Sequence, residues 1–192
     1  MDYLPLNQHS DIEKMLMNLE KVRVMVCFDN YSIIGQTYYQ AERRFLDMLN
    51  KDFVMNKKRV TEFLIVTQAL LVNQAGEKEQ IASPCFVRKD SIVFIGTFDE
   101  TRSTTSENIN TYKAYPWREK NAMSAKMVFA GIYRLVGQIH SDPLVLPVHS
   151  IESKNKFMPM TNVRVISSLE PREISFDFVA VNKNHVSLFQ LS

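Results

Sequence analysis

Few side chains in this sequence stand at spacings that do chemistry. His140 and His149 flank the segment "SDPLVLPV", with Asp142 between them, but a metal site needs ligands brought together by i, i+4 helical pairing or by C-x-x-C spacing, and neither occurs here. They read as turn or surface histidines, and no metal is expected. Cys85 follows Pro84 in an apolar run instead of opening a helix, and no serine stands in a G-x-S-x-G elbow. Asp29, Asp47 and Asp90 are carboxylates with no spacing that gathers them into an acid/base pair. The chain has five glycines and no Gly-rich loop to cradle phosphate, so no nucleotide cofactor is expected. A non-catalytic protein follows as the expectation.

Binding is the remaining chemistry. Arg43 and Arg44, then Lys57, Lys58 and Arg59 of "NKKR", and finally Arg88 with Lys89 put basic side chains near turns of the first half. Flanked by Tyr38 and Tyr39, they have the makings of a nucleic-acid or anion contact, cations along a phosphate backbone with bases stacked on rings. The formal net charge of +2 supplies no basic field, and a solvated lysine-rich surface explains the same letters. Tyr112, Tyr115 and Trp117 cluster in an otherwise polar stretch. They are candidate anchors for a protein partner, or rings that dock onto their own chain.

A length of 192 residues, with 45% hydrophobic and 23% charged residues, suits one ordinary domain or two small ones that lean on each other. Cys27 and Cys85 lie in apolar runs as reduced core thiols, and "MDYLPLNQHSDIEKM" lacks the pattern of a signal peptide, so a cytoplasmic protein is expected. No apolar run approaches about 18 residues, and no membrane partner is expected.

The elements that must position these residues are mostly strands. Ser10 and Glu13 have capping-box spacing, and Ile12, Met15, Leu16 and Leu19 recur at helical intervals, predicting an amphipathic helix over 11–21. "VRVMVCF" and "YSIIGQTYY" predict strands at 22–28 and 31–39 joined by a tight turn at "DN". In "AERRFLDMLN", about 40–50, Ala41, Phe45, Met48 and Leu49 share one helical face, and Asn50 is a stop signal. "EFLIVTQALLV", "IASPCFVRK" and "SIVFIGTF" predict three more strands, with "NQAGEKEQ" and "KD" as turns. Residues 99–122 open polar and Ser/Thr-rich, as a linker does.

The second half then repeats the first. "YSIIGQ" returns as "YRLVGQ", with Tyr133 and Gly137 each 102 residues beyond Tyr31 and Gly35, and Met127 and Val128 fall opposite Met25 and Val26 at that step. "FLIVTQALL" returns as "FMPMTNVRV" and "VRKDSIVFI" as "VNKNHVSLF", both at a step of 94. Two steps differing by one block of eight residues align both ends in order, which is the mark of an internal repeat whose first copy alone keeps the full helical insert. Gly35 and Gly137 then become candidate strand bends, since glycine inside a strand marks a bulge or a corner.

A helix, a strand, a Gly-bent second strand, a third strand and a final pair joined at "FVRKDSIVFI" resembles the Sm-like small β-barrel. That resemblance implies a helix capping a strongly bent five-stranded antiparallel sheet, in subunits that form rings and often bind RNA. The family's arginine–glycine turn of the RNA pocket is not matched: Arg88 is followed by Lys89 and Asp90, and the second copy has Asn182, Lys183 and Asn184. The first copy also resembles an uncharacterised bacterial domain with an R-F-x-D-x-L-N segment after a hairpin ending in glycine, matched by Arg44, Phe45, Asp47, Leu49 and Asn50.

The expectation is a mainly β protein with a few short helices, two tandem small antiparallel barrel-like domains. The segments are an N-terminal helical segment (1–21), a first repeat (22–98), a linker (99–122) and a second repeat (123–192). Its expected role is a non-catalytic binding or assembly module acting through a protein partner or self-association. The alternative is an Sm-like nucleic-acid-binding protein.

Overall fold

The computed structural model describes residues 16, 17, 19–41, 43–50, 53–55, 58–60, 62–98, 120–129, 132–141, 149, 152–168 and 173–191. Tyr112, Tyr115, Trp117, Lys57 and most of the expected N-terminal helix and linker lie outside them.

The chain is mainly β, as its alternating β-branched and aromatic runs require. The first half contains β1 (Glu20–Cys27), β2 (Tyr31–Tyr39), the helix α1 (Phe45–Asn50), β3 (Phe53–Met55), β4 (Lys58–Val60), β5 (Phe63–Asn73), β6 (Lys78–Gln80), β7 (Cys85–Arg88) and β8 (Phe94–Thr97). The second contains β9 (Asn121–Phe129), β10 (Tyr133–Ser141), β11 (Phe157–Ser167), β12 (Glu173–Asn182) and β13 (Leu188–Leu191). Eleven strands form one open antiparallel sheet in the order β13-β9-β10-β11-β12-β8-β1-β2-β5-β6, with β7 also on β5, while β3 and β4 make a separate hairpin.

Each half has the same internal order. In the first it is β8-β1-β2-β5-β7 and in the second β13-β9-β10-β11-β12, with the last strand beside the first. A short 3-10 turn, Lys89–Ser91 or Lys183–His185, leads into that last strand. The sheet is continuous across the halves because β8 pairs with β12, Phe94 opposite Val181 and Thr97 opposite Phe178. The cores interlock at this seam: Phe157 and Ala180 pack in the first half's cluster, and Cys27, Val93 and Phe94 in the second's.

The ladders are interrupted at the two glycines. The ladder of β2 on β5 shifts register between Ile34 and Gln36, and that of β10 on β11 between Val136 and Gln138. Facing them, Gln68 and Asn162 take left-handed φ of 50° and 51°. A Cβ on Gly35 would come within 2.6 Å of Val66 Cγ1 and 2.8 Å of Thr67 O, and one on Gly137 within 2.9 Å of Thr161 O. Close backbone approach at a bulge is why glycine stands at both places.

Several expectations are corrected. The first strand starts at Glu20, so the helix expected over 11–21 cannot extend that far; Leu16 is buried at the helical residue that remains in view, and Met17 is exposed. Ala41 lies outside α1 and is exposed, whereas Phe45, Met48 and Leu49 form the buried face. The strand expected across "IASPCFVRK" is only Cys85–Arg88, and β6 forms inside what reads as a turn. Lys58 and Arg59, expected near a turn, stand in β4, a strand not expected there.

The step of 102 also fails for the first strand. β1 and β9 share their burial rhythm at a step of 101, with Val24 and Val26 matched by Ala125 and Met127, so Val26 and not Met25 is the counterpart of Met127. The second hairpin turn carries the extra residue, because a slip of one in the strand would turn its apolar face to solvent.

Candidate functional site

The R-F-x-D-x-L-N residues have structural work to do. Arg44 Nε donates to Asp47 Oδ2 at 3.0 Å, and Phe45 and Leu49 enter the core. Asn50 Nδ2 donates to Phe157 O at 2.8 Å while Phe157 N donates to Asn50 Oδ1 at 2.7 Å, clamping α1 onto the first residue of β11.

The basic candidates among the described residues have unlike surroundings. Lys89 is a correction: it is buried, and its Nζ donates to Met48 O at 2.9 Å, so its charge holds α1 against the 3-10 turn instead of facing an anion. Its repeat counterpart Lys183 likewise donates to a backbone carbonyl, Ser153 O, and burial pushes that ammonium below its ordinary range. Arg44 is tied to Asp47, and Arg88 lies 3.8 Å from Asp90 with most of its side chain exposed. Arg43 is exposed.

His140 also proves structural. Its Nε2 lies 2.7 Å from Thr161 Oγ1, the place that Tyr38 OH occupies 2.7 Å from Thr67 Oγ1 in the first half. His149 Nδ1 sits 3.0 Å from Glu152 Oε2. Among the described residues no three histidines, cysteines or carboxylates gather as a metal site, and no helix is long and apolar enough to cross a membrane.

Neither thiol is set up as a nucleophile. Cys27 is fully buried and its thiol is pushed far up by loss of water; Cys85, half-buried, is raised for the same leading reason. A groove beside the seam is lined by Met25, Cys27, Tyr31, Phe94, Tyr133 and Phe176. Asn30, Ser32, Asn73, Gln74 and Ser167 line it as well.

What stands out instead is the two ends of the sheet. Among the described residues six large hydrophobic side chains are exposed, and four of them lie at these ends: Phe63 (42%) and Phe86 (53%) on β5 and β7, Leu188 (51%) and Leu191 (41%) on β13. Three of the four have repeat counterparts at the seam that are covered. Phe157, Ala180 and Phe94 match Phe63, Phe86 and Leu188 at the step of 94, and each is essentially inaccessible. Among the described residues no strand pairs with the outer side of β7 or of β13.

Sequence reasoning did not single out these four side chains. The signal was present, because matching "FVRK" to "AVNK" and "FIGT" to "LFQL" already pairs the outer strands with strands that must be inner ones if the halves pack edge to edge.

Comparison with protein-family models, with curated proteins and with solved structures returns no match.

Proposed function

We propose that this chain is a non-catalytic assembly module, two copies of one bent five-stranded unit of the Sm-like kind, working through protein contacts at its open sheet edges. The observation that carries this reading is the contrast between Phe86 and Leu188, exposed at the ends, and Ala180 and Phe94, buried where the halves meet. An open edge presents unpaired N–H and C=O groups, and apolar side chains beside it add a favourable burial term to strand pairing. Natural edges are commonly blunted by charge or proline along their length. β13 reads "LFQL" and has neither.

Support for the repeat comes from the ladders: β2 on β5 and β10 on β11 keep one register, bulge included, at steps of 102 and 94. The last strand sits beside the first in both halves, as the resemblance implies. Light scattering on the purified chain, with capture from the source lysate on immobilised chain, tests the reading. A particle that keeps the mass of one chain and retains no protein overturns it.

Nucleic-acid binding is the second reading, favoured by the exposure of Arg43 and Arg88. Titration with fluorescent single-stranded RNA and DNA at two salt concentrations decides it, since phosphate contacts weaken steeply with salt. Absence of binding at low salt removes it.

A further inference from the structure

Phe63, Ile65, Phe86 and Arg88 share one face of the β5–β7 pair, because Phe63 stands opposite Arg88 and Ile65 opposite Phe86. Leu64, Val66 and Val87, on the other face, fill the first half's core. The outward face is apolar with one cation: Phe63 and Phe86 are exposed, and the Arg88 side chain is 60% exposed. At the step of 94 the same four places in the second half are Phe157, Pro159, Ala180 and Asn182, which share one face of β11 and β12. That face is covered. The helix α1 lies against β11, Phe157 and Ala180 join one cluster with Phe45, Met48 and Leu49, and Asn50 holds both backbone groups of Phe157.

We propose that the face of Phe63, Phe86 and Arg88 is the docking site for an amphipathic helix of a partner protein. That helix presents Phe, Met and Leu at positions i, i+3 and i+4 and a carboxamide at i+5, as Phe45, Met48, Leu49 and Asn50 of α1 do toward the second half. The α1 of another copy is not the occupant, since its Phe45, Met48 and Leu49 are buried in their own molecule. This inference rests on the reading of the chain as an assembly module and gives that module a helix to hold.

The backbone is set for the same clamp. Lys89 N donates to Glu62 O at 2.7 Å and Lys183 N to Lys156 O at 3.0 Å, so in both ladders the next residue, Phe63 or Phe157, turns its N–H and C=O away from the paired strand. Those are the groups that Asn50 holds on Phe157. Charge fits as well. Asn50 ends α1 and Phe157 stands opposite Asn182, so a helix seated alike on Phe63 brings its C-terminal carbonyls beside Arg88, which stands opposite Phe63. The C-terminal end of a helix is its negative pole, and a cation there favours the seat where the second half has the neutral Asn182. Phe86 in place of Ala180 enlarges the apolar area, and two phenylalanines beside an arginine have the composition of a protein contact.

The probe is a fluorescent peptide copying residues 41–50, held helical by a hydrocarbon staple, titrated with the full-length chain and read by anisotropy. Saturable binding below about 1 mM is expected, weakened at least about tenfold by Phe63→Glu or Phe86→Glu. Arg88→Ala in the protein, or Asn50→Ala in the peptide, is expected to weaken it several-fold. The three protein variants change exposed positions, and circular dichroism should report each as folded. Absence of saturable binding overturns the proposal, and so does binding that Phe86→Glu leaves unchanged, because the helix then sits elsewhere. A photo-cross-linking amino acid in place of Phe86, irradiated in the source lysate, supplies the second arm. A cross-link mapped to a partner helix with the α1 spacing supports the proposal. One mapped to an extended segment overturns it and leaves the broader assembly reading standing, whereas no peptide binding together with no cross-linked protein ends both.

Discussion

Asn50 and Phe157, 107 residues apart, exchange two hydrogen bonds in which one carboxamide serves both the N–H and the C=O of a strand's first residue. The side chain thus substitutes for a neighbouring strand at the point where β11 enters the first half's core. Asn50→Ala is expected to cost about 1–3 kcal/mol, since it leaves two partly buried backbone groups unpaired. Asn50→Asp should restore only part of this, because a carboxylate cannot donate to Phe157 O. Urea denaturation of the three proteins reads the order.

Gly35→Ala and Gly137→Ala should each destabilise the protein by about 1–3 kcal/mol, as overpacking does. The obstruction at both sites is a carbonyl oxygen of the facing strand, which cannot rotate away as a side-chain tip can. Thermal unfolding of the two variants checks this, and near-equal losses would agree with the equivalence of the two bends.

Lys89→Ala should lower stability without altering any affinity for nucleic acid, because the ammonium is spent on Met48 O inside the protein. The expected cost is about 1–3 kcal/mol for an orphaned carbonyl and lost packing. Arg43→Ala, on the exposed surface, should leave stability within about 0.5 kcal/mol.

Asp90 and Lys156 link the halves at the rim of the seam, and the ammonium's hydrogen bond and charge hold the Asp90 carboxyl below its usual range. A carboxyl depressed in the folded state contributes stability that is complete above its unfolded value, about 3.9, and is lost as pH falls through the lower folded value. The pair is exposed, so the effect is modest and screened by salt. Lys156→Met should flatten the acid limb of a stability-versus-pH curve and leave the curve's most acidic end unchanged. Lys183 has the same sign with pH from a different cause: burial disfavours its charged form, so stability rises with pH between its lowered folded value and the unfolded value of about 10.4.

A thiol reagent on the native protein should label Cys85 slowly and Cys27 not at all until the chain unfolds. Burial both blocks access and holds each proton in place. Mass spectrometry of peptides from a timed labelling reads the order, and fast labelling of Cys27 would contradict its place at the seam.

Local order along the chain determined the strands, because alternation of Val, Ile and aromatic residues is a property of neighbours: Tyr31–Tyr39 and Phe63–Asn73 were legible to within a residue. The common strand order of the halves was legible for the same reason, as were the register shifts at Gly35 and Gly137, where a missing Cβ is itself the signal. Letters alone misread Lys89 as a surface cation and His140 as a turn residue, since burial and the partners Met48 O and Thr161 Oγ1 come from segments distant in sequence. Tertiary structure alone decided that β8 lies on β12, and hence that Phe94 is covered while Leu188, in the same place of the repeat, is bare. Two halves of like strand order follow one local pattern, and only their contact in space distinguishes an inner edge from an outer one.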